Sequence, residues 1–162
     1  MNDSSLREWL AYDATSGRFK WRKSPNRRIP PGSEAGSRVG RRVQLSVAGT
    51  RYFAHRVAWF FEHGAWPRGE IDHINGDPFD NRITNLRDVT RSVNAQNLKK
   101  ARSDSATGFL GVRFDRSRTR SPYIAALVIN GKAMSLGCFR TPQEAHAVYL
   151  AAKRIHHEGN TL

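Results

Sequence analysis

Cysteine is almost missing from this chain: Cys138 is the one cysteine in 162 residues. A disulfide framework and any multi-cysteine zinc site are thereby excluded, so site chemistry has to be built from His, Asp, Asn and water. Long apolar runs are missing too. The longest, Tyr123 to Ile129, has seven residues, against the roughly 20 a membrane-spanning helix needs. Met1 to Asp13 contains acidic residues and no apolar signal core, so a cytoplasmic rather than a secreted location is expected. Acidic residues are scarce beside basic ones, 14 Asp+Glu against 27 Lys+Arg, for a net charge of +13. That imbalance points to a polyanionic partner, nucleic acid or an acidic membrane surface. What the chain does have is core material: 38% hydrophobic residues, with four Trp and eight Phe. It is therefore no disordered polycation, and its length allows one compact domain or two small ones.

The charge is unevenly spread. Residues 1–70 hold 13 basic and 6 acidic residues, residues 71–106 hold 6 and 5, and residues 107–162 hold 8 and 3. A nearly neutral middle between basic flanks suits a nucleic acid gripped at both ends with chemistry between. The first part begins with a short amphipathic helix over Leu6 to Tyr12, followed by period-two strands at Arg18–Arg22, Val43–Val47 and Arg51–Phe53. Ala48-Gly49-Thr50 is the expected turn between the last two. Ser24 to Arg42, rich in Pro, Gly and Arg, is expected to be a mobile basic loop. From Ala54 the period becomes helical, ending at Gly64. Beyond a linker near Ser103 to Thr107 come three strands, Phe109–Phe114, Tyr123–Ile129 and Lys132–Phe139, with Asn130-Gly131 as a hairpin turn. A helix follows, with Thr141, Pro142 and Glu144 as its capping box. Ala145, Val148, Tyr149, Ala152 and Ile155 form its apolar stripe, and Gly159 is its stop. Trp9, Trp21, Trp59 and Trp66 read as core, and Cys138 as a small buried hydrophobe.

The unusual stretch is "EIDHINGDPFDNRITNLRDVTRSVNAQN", Glu70 to Asn97, with five Asn, four Asp and one His on a thin apolar frame. It reads as a strand (Glu70–Ile74), a reversal at Asn75-Gly76-Asp77-Pro78, a second strand (Leu86–Val89), and a helix capped by Thr90 and running to about Lys99. Two strands and a helix bring Asp72 and His73 toward Asn94. A carboxylate and an amide oxygen are hard ligands suited to Mg²⁺. A histidine beside them can take a proton from an attacking water, provided an acceptor such as the Asn85 carbonyl fixes its ring. The plainer reading makes His73 a hydrogen-bonded turn histidine. Asp77, Asp80 and Asn81 are read as turn and cap residues, and the Asp/Asn pattern does not fit an EF-hand loop. His55 is read as structural. His63, His156 and His157 stand at helix ends, where the dipole accounts for them.

Asp72-His73, Asn85 in "NRITNL" and Asn94 in "TRSVNAQN" resemble the His-Asn-His (HNH) endonucleases with a ββα-metal site. The likeness is to the phage and intron-type homing branch and covers Arg51 to Asn97. It implies Asp72 and Asn94 as ligands for Mg²⁺ or Mn²⁺, His73 as general base and Asn85 as the residue orienting it. Residues 107–162, with "GV" at Gly111-Val112 and "LGCF" at Leu136 to Phe139, are similar to the ethylene-response-factor (Apetala-type) DNA-binding domain. The implied fold is α+β: a basic β-rich segment (1–54), an HNH ββα-metal core (55–102), a linker (103–106) and a three-stranded sheet on one helix (107–162). The implied activity is an endodeoxyribonuclease acting on double-stranded DNA as a monomer or weak homodimer in a bacterial host, of phage or prophage origin. Arg56, Arg91, Arg113, Arg116, Arg118, Arg120 and Lys132 are the expected DNA contacts, fitting phosphate better than base edges. A DNA-binding regulator that keeps the fold without cleaving is the alternative.

Overall fold

A computed structural model describes residues 4–129 and 131–157. Asn130 of the expected hairpin turn and the Gly159 helix stop lie outside the described residues. The fold is α+β, with small antiparallel sheets and short helices in two compact units, Met1–Arg91 and Ser92–Leu162.

In the first unit, α1 (Ser4–Trp9) passes straight into β1 (Leu10–Asp13), which pairs with β2 (Arg18–Trp21). The expected helix to Tyr12 therefore stops early. A helix this short is marginal in water, and a four-residue ladder from Leu10↔Trp21 to Asp13↔Arg18 competes successfully for its backbone. The segment expected to be a mobile loop is ordered. β3 (Glu34–Ala35) joins the edge of β2, and β4 (Ser37–Val39) pairs with β5 (Arg42–Val47). Its Pro and Gly make turns closed by side chains: Ser24 Oγ donates to the Ile29 carbonyl at 2.7 Å, and Ser33 Oγ to the Pro30 carbonyl at 2.8 Å. β5 turns into β6 (Thr50–Phe53) through Ala48 and Gly49, both at positive φ (45° and 83°), the backbone a two-residue hairpin requires.

α2 (Ala54–His63) follows β6 directly and ends as expected at Gly64, whose N–H bonds the Phe60 carbonyl at 3.0 Å. Next come β7 (Glu70–His73) and β8 (Leu86–Val89), an antiparallel ribbon, and then α3 (Arg91–Gln96). This is the expected ββα order, with a helix that stops short of Lys99. One core runs through the unit. Leu6, Leu10, Phe19, Trp21, Leu45, Val47, Val57, Phe60, Ile71 and Leu86 are all buried in it. Trp9, Trp59 and Trp66 pack on its margin. Each fully buried aliphatic side chain contributes roughly 1.5–3 kcal/mol, so the ribbon stands on a base it could not provide for itself.

The second unit holds a sheet in the order β11 (Lys132–Phe139), β10 (Tyr123–Ile129), β9 (Val112–Phe114), packed on α4 (Pro142–His156). Both halves of the Thr141–Glu144 capping box form. The stripe of α4 is narrower than expected: Ala145 and Tyr149 are buried, whereas Val148 is 36% and Ile155 77% exposed. The buried Lys153 takes the place of a third apolar contact, its Nζ donating to the Leu98 carbonyl. Cys138 is exposed, not buried. It pairs with Ile124, so alternation puts it on the sheet face away from α4, where Ala125 and Leu127 point instead. A Cβ on Gly111 would lie 2.0 Å from the Tyr149 ring, and its φ is +75°. Gly111→Ala is therefore expected to lower stability by about 2 kcal/mol or more, read as a reduced urea midpoint.

Candidate active site

The β7–β8 register explains the first half of the site. Asp72 stands opposite Arg87 and His73 opposite Leu86. Directly opposed residues share a face, so the Asp72 carboxylate meets the Arg87 guanidinium: Nε and Nη2 both donate to Oδ2 at 2.7 Å. Asp72 is buried, 5% exposed. His73, the next residue, leaves the opposite face, toward α2.

Asn81 and His55 both meet the His73 ring. Nε2 lies 3.3 Å from Asn81 Oδ1. An amide oxygen only accepts, so the proton sits on Nε2 and Nδ1 carries the lone pair that a base uses. The His55 ring meets His73 edge-on at 5.4 Å, and Phe53 stacks on His55 at 5.6 Å. Burial lowers the His73 pKa below its usual value, while the Asn81 bond and the Asp72 charge oppose that shift and Arg42 adds to it. The ring is therefore neutral at pH 7, the state proton abstraction requires. His55, from α2, is 3% exposed and its Nδ1 has no hydrogen-bond partner. Burial first, then His73, Arg42 and Arg56, push its pKa down to about 3. It forms an uncharged wall.

Asn85 was expected to orient His73. It does not: its Oδ1 accepts from the Asn75 backbone N–H at 2.9 Å and its Nδ2 donates to the Asp80 carbonyl at 2.8 Å. Both ends of the amide tie the β7–β8 loop together, and Asn81 meets the ring. Asn81 is itself buried, so its role goes beyond the turn and cap expected of it. Asp77 and Asp80 do hold turns. Asp77 Oδ1 accepts from Phe79 N–H at 3.0 Å, and Asp80 receives Asn75 Nδ2 at 2.8 Å and Arg82 Nη2 at 2.6 Å. Nothing in the residue spacing singled out Asn81, because the loop that returns it to the ring exists only once folded.

Arg56, expected at a phosphate, donates instead to the Gly69 carbonyl at 3.1 Å and the Pro67 carbonyl at 3.2 Å, tying α2 to the strand that follows. Two arginines from the ordered basic segment approach the site. Arg42 lies over the Phe53 ring at 5.1 Å and Arg38 over Phe79 at 4.4 Å, and among the described residues neither has an acidic partner. A hollow of about 250 Å³ opens beside Asn81, bordered by Arg18, Glu34, Arg38 and Phe79, but by neither Asp72 nor His73.

Asn94 is half-buried on α3 and belongs to the second unit. In that unit Arg113 lies on β9, Arg116, Arg118 and Arg120 on the loop before β10, and Lys132 at the start of β11, all exposed. Arg118 pairs with Asp115 at 3.2 Å, and Arg91 is exposed at the start of α3. Among the described residues, no three His, Cys, Asp or Glu side chains gather as a metal-binding group. The one buried carboxylate beside the histidine fits an ion that keeps most of its coordination as water and phosphate oxygen, the habit of Mg²⁺.

Residues 52–96 match the family model described as HNH endonuclease. No curated protein and no solved structure matches the chain. The matched residues include α2, the ribbon and its loop, which supports reading this part of the chain as an HNH nuclease domain.

The loop beneath the site carries its own pH signature. Hydrogen bonding from Arg82 holds the Asp80 pKa down at about 2, below its usual 3.8. A depressed carboxylate pKa means stability present above the unfolded value and lost as pH falls through the folded one. Asp80→Asn should therefore lower Tm at pH 7, and its difference from the parent should shrink between about pH 4 and pH 2 in thermal melts.

Proposed function

We propose that this chain is a metal-dependent HNH endodeoxyribonuclease that hydrolyses phosphodiester bonds in double-stranded DNA. The observation that carries the reading is the His73 ring, its Nε2 3.3 Å from Asn81 Oδ1 and its chain neighbour the buried Asp72, inside the matched residues. His73 Nδ1 takes the proton from the attacking water, and the bond from phosphorus to the leaving oxygen breaks as the new one forms. Asp72 would be a ligand for Mg²⁺ or Mn²⁺, which when bound supplies charge neutralisation for the phosphorane and the leaving oxygen, and Asn94 is the further ligand that the sequence resemblance implies. Arg87 holds the Asp72 carboxylate in orientation, and Asn85 keeps the loop in shape.

The remaining assignments extend this reading. Residues 55–102 are the nuclease core, 1–54 a basic segment sharing its hydrophobic interior, and 107–162, after the 103–106 linker, an ethylene-response-factor-like module. That module holds DNA by phosphate contacts from Arg113, Arg116, Arg118, Arg120 and Lys132, with Arg91 added from α3. One site per chain makes a nick the product of a monomer, and breaking both strands would take a weak homodimer or a second cleavage event. A homing-type nuclease of phage or prophage origin, acting in the cytoplasm of a bacterial host, is the setting that fits the sequence resemblance. No helix among the described residues is long and apolar enough to cross a membrane.

Supercoiled plasmid is expected to relax with Mg²⁺ or Mn²⁺ and to stay intact with EDTA. His73→Ala should slow relaxation by roughly 10²-fold or more while leaving the gel shift in place. A gel shift without relaxation in the parent would identify a non-cleaving regulator instead. Because the base must be neutral and burial lowers its pKa from the ordinary histidine value, the rate should hold through neutral pH and fall only in acidic buffer.

A further inference from the structure

The N-terminal hairpin touches Asn81, whose side-chain oxygen meets His73 Nε2. Tyr12, on β1, donates its hydroxyl to the Asn81 backbone carbonyl at 2.7 Å. The β1–β2 turn presses on that peptide from nearby. A Cβ on Gly17 would lie 2.4 Å from the Arg82 nitrogen and 2.6 Å from the Asn81 carbonyl carbon, and Gly17 has φ +71°. Only a residue without a side chain lets the turn come this close. Asn81 is 3% exposed, its Nδ2 reaches the Phe79 carbonyl at 3.4 Å, and its Oδ1 receives His73 Nε2.

We infer that Tyr12 and Gly17 are positioning residues for the candidate base: they fix the peptide of Asn81, and through it the tautomer and direction of the His73 ring. The inference rests on the nuclease reading for its consequence, but its geometry stands apart from it. Tyr12 is suited to the task. Its ring is held by Phe19 at 4.8 Å and Phe61 at 6.4 Å, so the hydroxyl cannot swing away. Burial, with Glu62 and Asp13 adding to it, raises its pKa and keeps the hydroxyl a donor at every working pH. Loss of the hydroxyl leaves the packing in place and frees the peptide. A misplaced base lowers the rate of the chemical step without weakening DNA binding.

Tyr12→Phe is the test, with Tyr52→Phe as control, since Tyr52 stacks on Trp66 at 6.0 Å and makes no hydroxyl hydrogen bond among the described residues. With Tm close to the parent's, Tyr12→Phe should lower kcat for plasmid relaxation roughly ten-fold and leave KM for DNA within about two-fold. Tyr52→Phe should change neither. Nitrogen-detected imidazole spectra, with His73 assigned by its loss in His73→Ala, should show the His73 resonances shifted in Tyr12→Phe and unmoved in Tyr52→Phe. An unchanged His73 spectrum in Tyr12→Phe overturns the inference whatever the activity, as does an unchanged kcat in a chain that cleaves. A shifted spectrum in a chain whose parent cuts no DNA upholds the positioning and rejects the nuclease reading. Gly17→Ala should move the same resonances in the same way, and failure to do so rejects its share of the assignment.

Discussion

The buried amide of Asn85 is the constraint on which the site depends. β7 and β8 are four residues each, joined by a long polar loop with few side chains to bury, and such a ribbon has little intrinsic stability. Asn85 closes it from inside, accepting from Asn75 and donating to Asp80, while its own backbone carbonyl takes the Ile74 N–H at 2.9 Å. Charge-assisted bonds from Asp80 to Asn75 and Arg82 then hold the outer side of the loop. Asn81 is delivered to His73 as a consequence of that closure. Buried polar networks are worth most when every member is satisfied, and this one has few loose ends.

Charge is handled locally in a chain that is strongly positive overall. The buried Asp72 is neutralised by Arg87, since an unpaired carboxylate there would carry a heavy desolvation cost. The two imidazoles are kept uncharged by burial rather than by partners. An uncharged histidine therefore stands in strongly positive surroundings, and the arginines at 38 and 42 add to that positive charge. Attraction of this kind is screened by salt, whereas the buried Asp72–Arg87 pair is not screened to the same degree.

Much of the fold was legible because its signals are short-range. Thr141-Pro142 with Glu144, the αL stop at Gly64 and the alternation through Val43–Phe53 depend only on neighbouring residues, and each appears where expected. The failures share one cause. The Leu6–Tyr12 helix lost its last turn to strand partners seven or more residues away, and the Pro/Gly/Arg segment was ordered by pairing with β2 and β5. Cys138 and Ile155 are exposed against expectation because which face of an element is covered depends on what packs there. Within the site, Asp72 and His73 were readable as a pair from their chemistry, while the exchange of roles between Asn85 and Asn81 was not. Both are asparagines in one loop, and only the path of that loop decides which amide reaches the imidazole.

By itself the sequence determined the residue types available: one carboxylate and one imidazole side by side, amides to close the turns, a strong excess of positive charge, and a ββα order written in period and caps. Local sterics and backbone hydrogen bonding suffice for that much. Tertiary structure alone decided that a tyrosine and a glycine from the N-terminal hairpin reach the Asn81 peptide, that His55 forms the wall beside His73, and that Arg56 serves the backbone and not a phosphate. These contacts join residues up to about 70 positions apart, and their geometry follows from how the shared core packs, which no local pattern encodes.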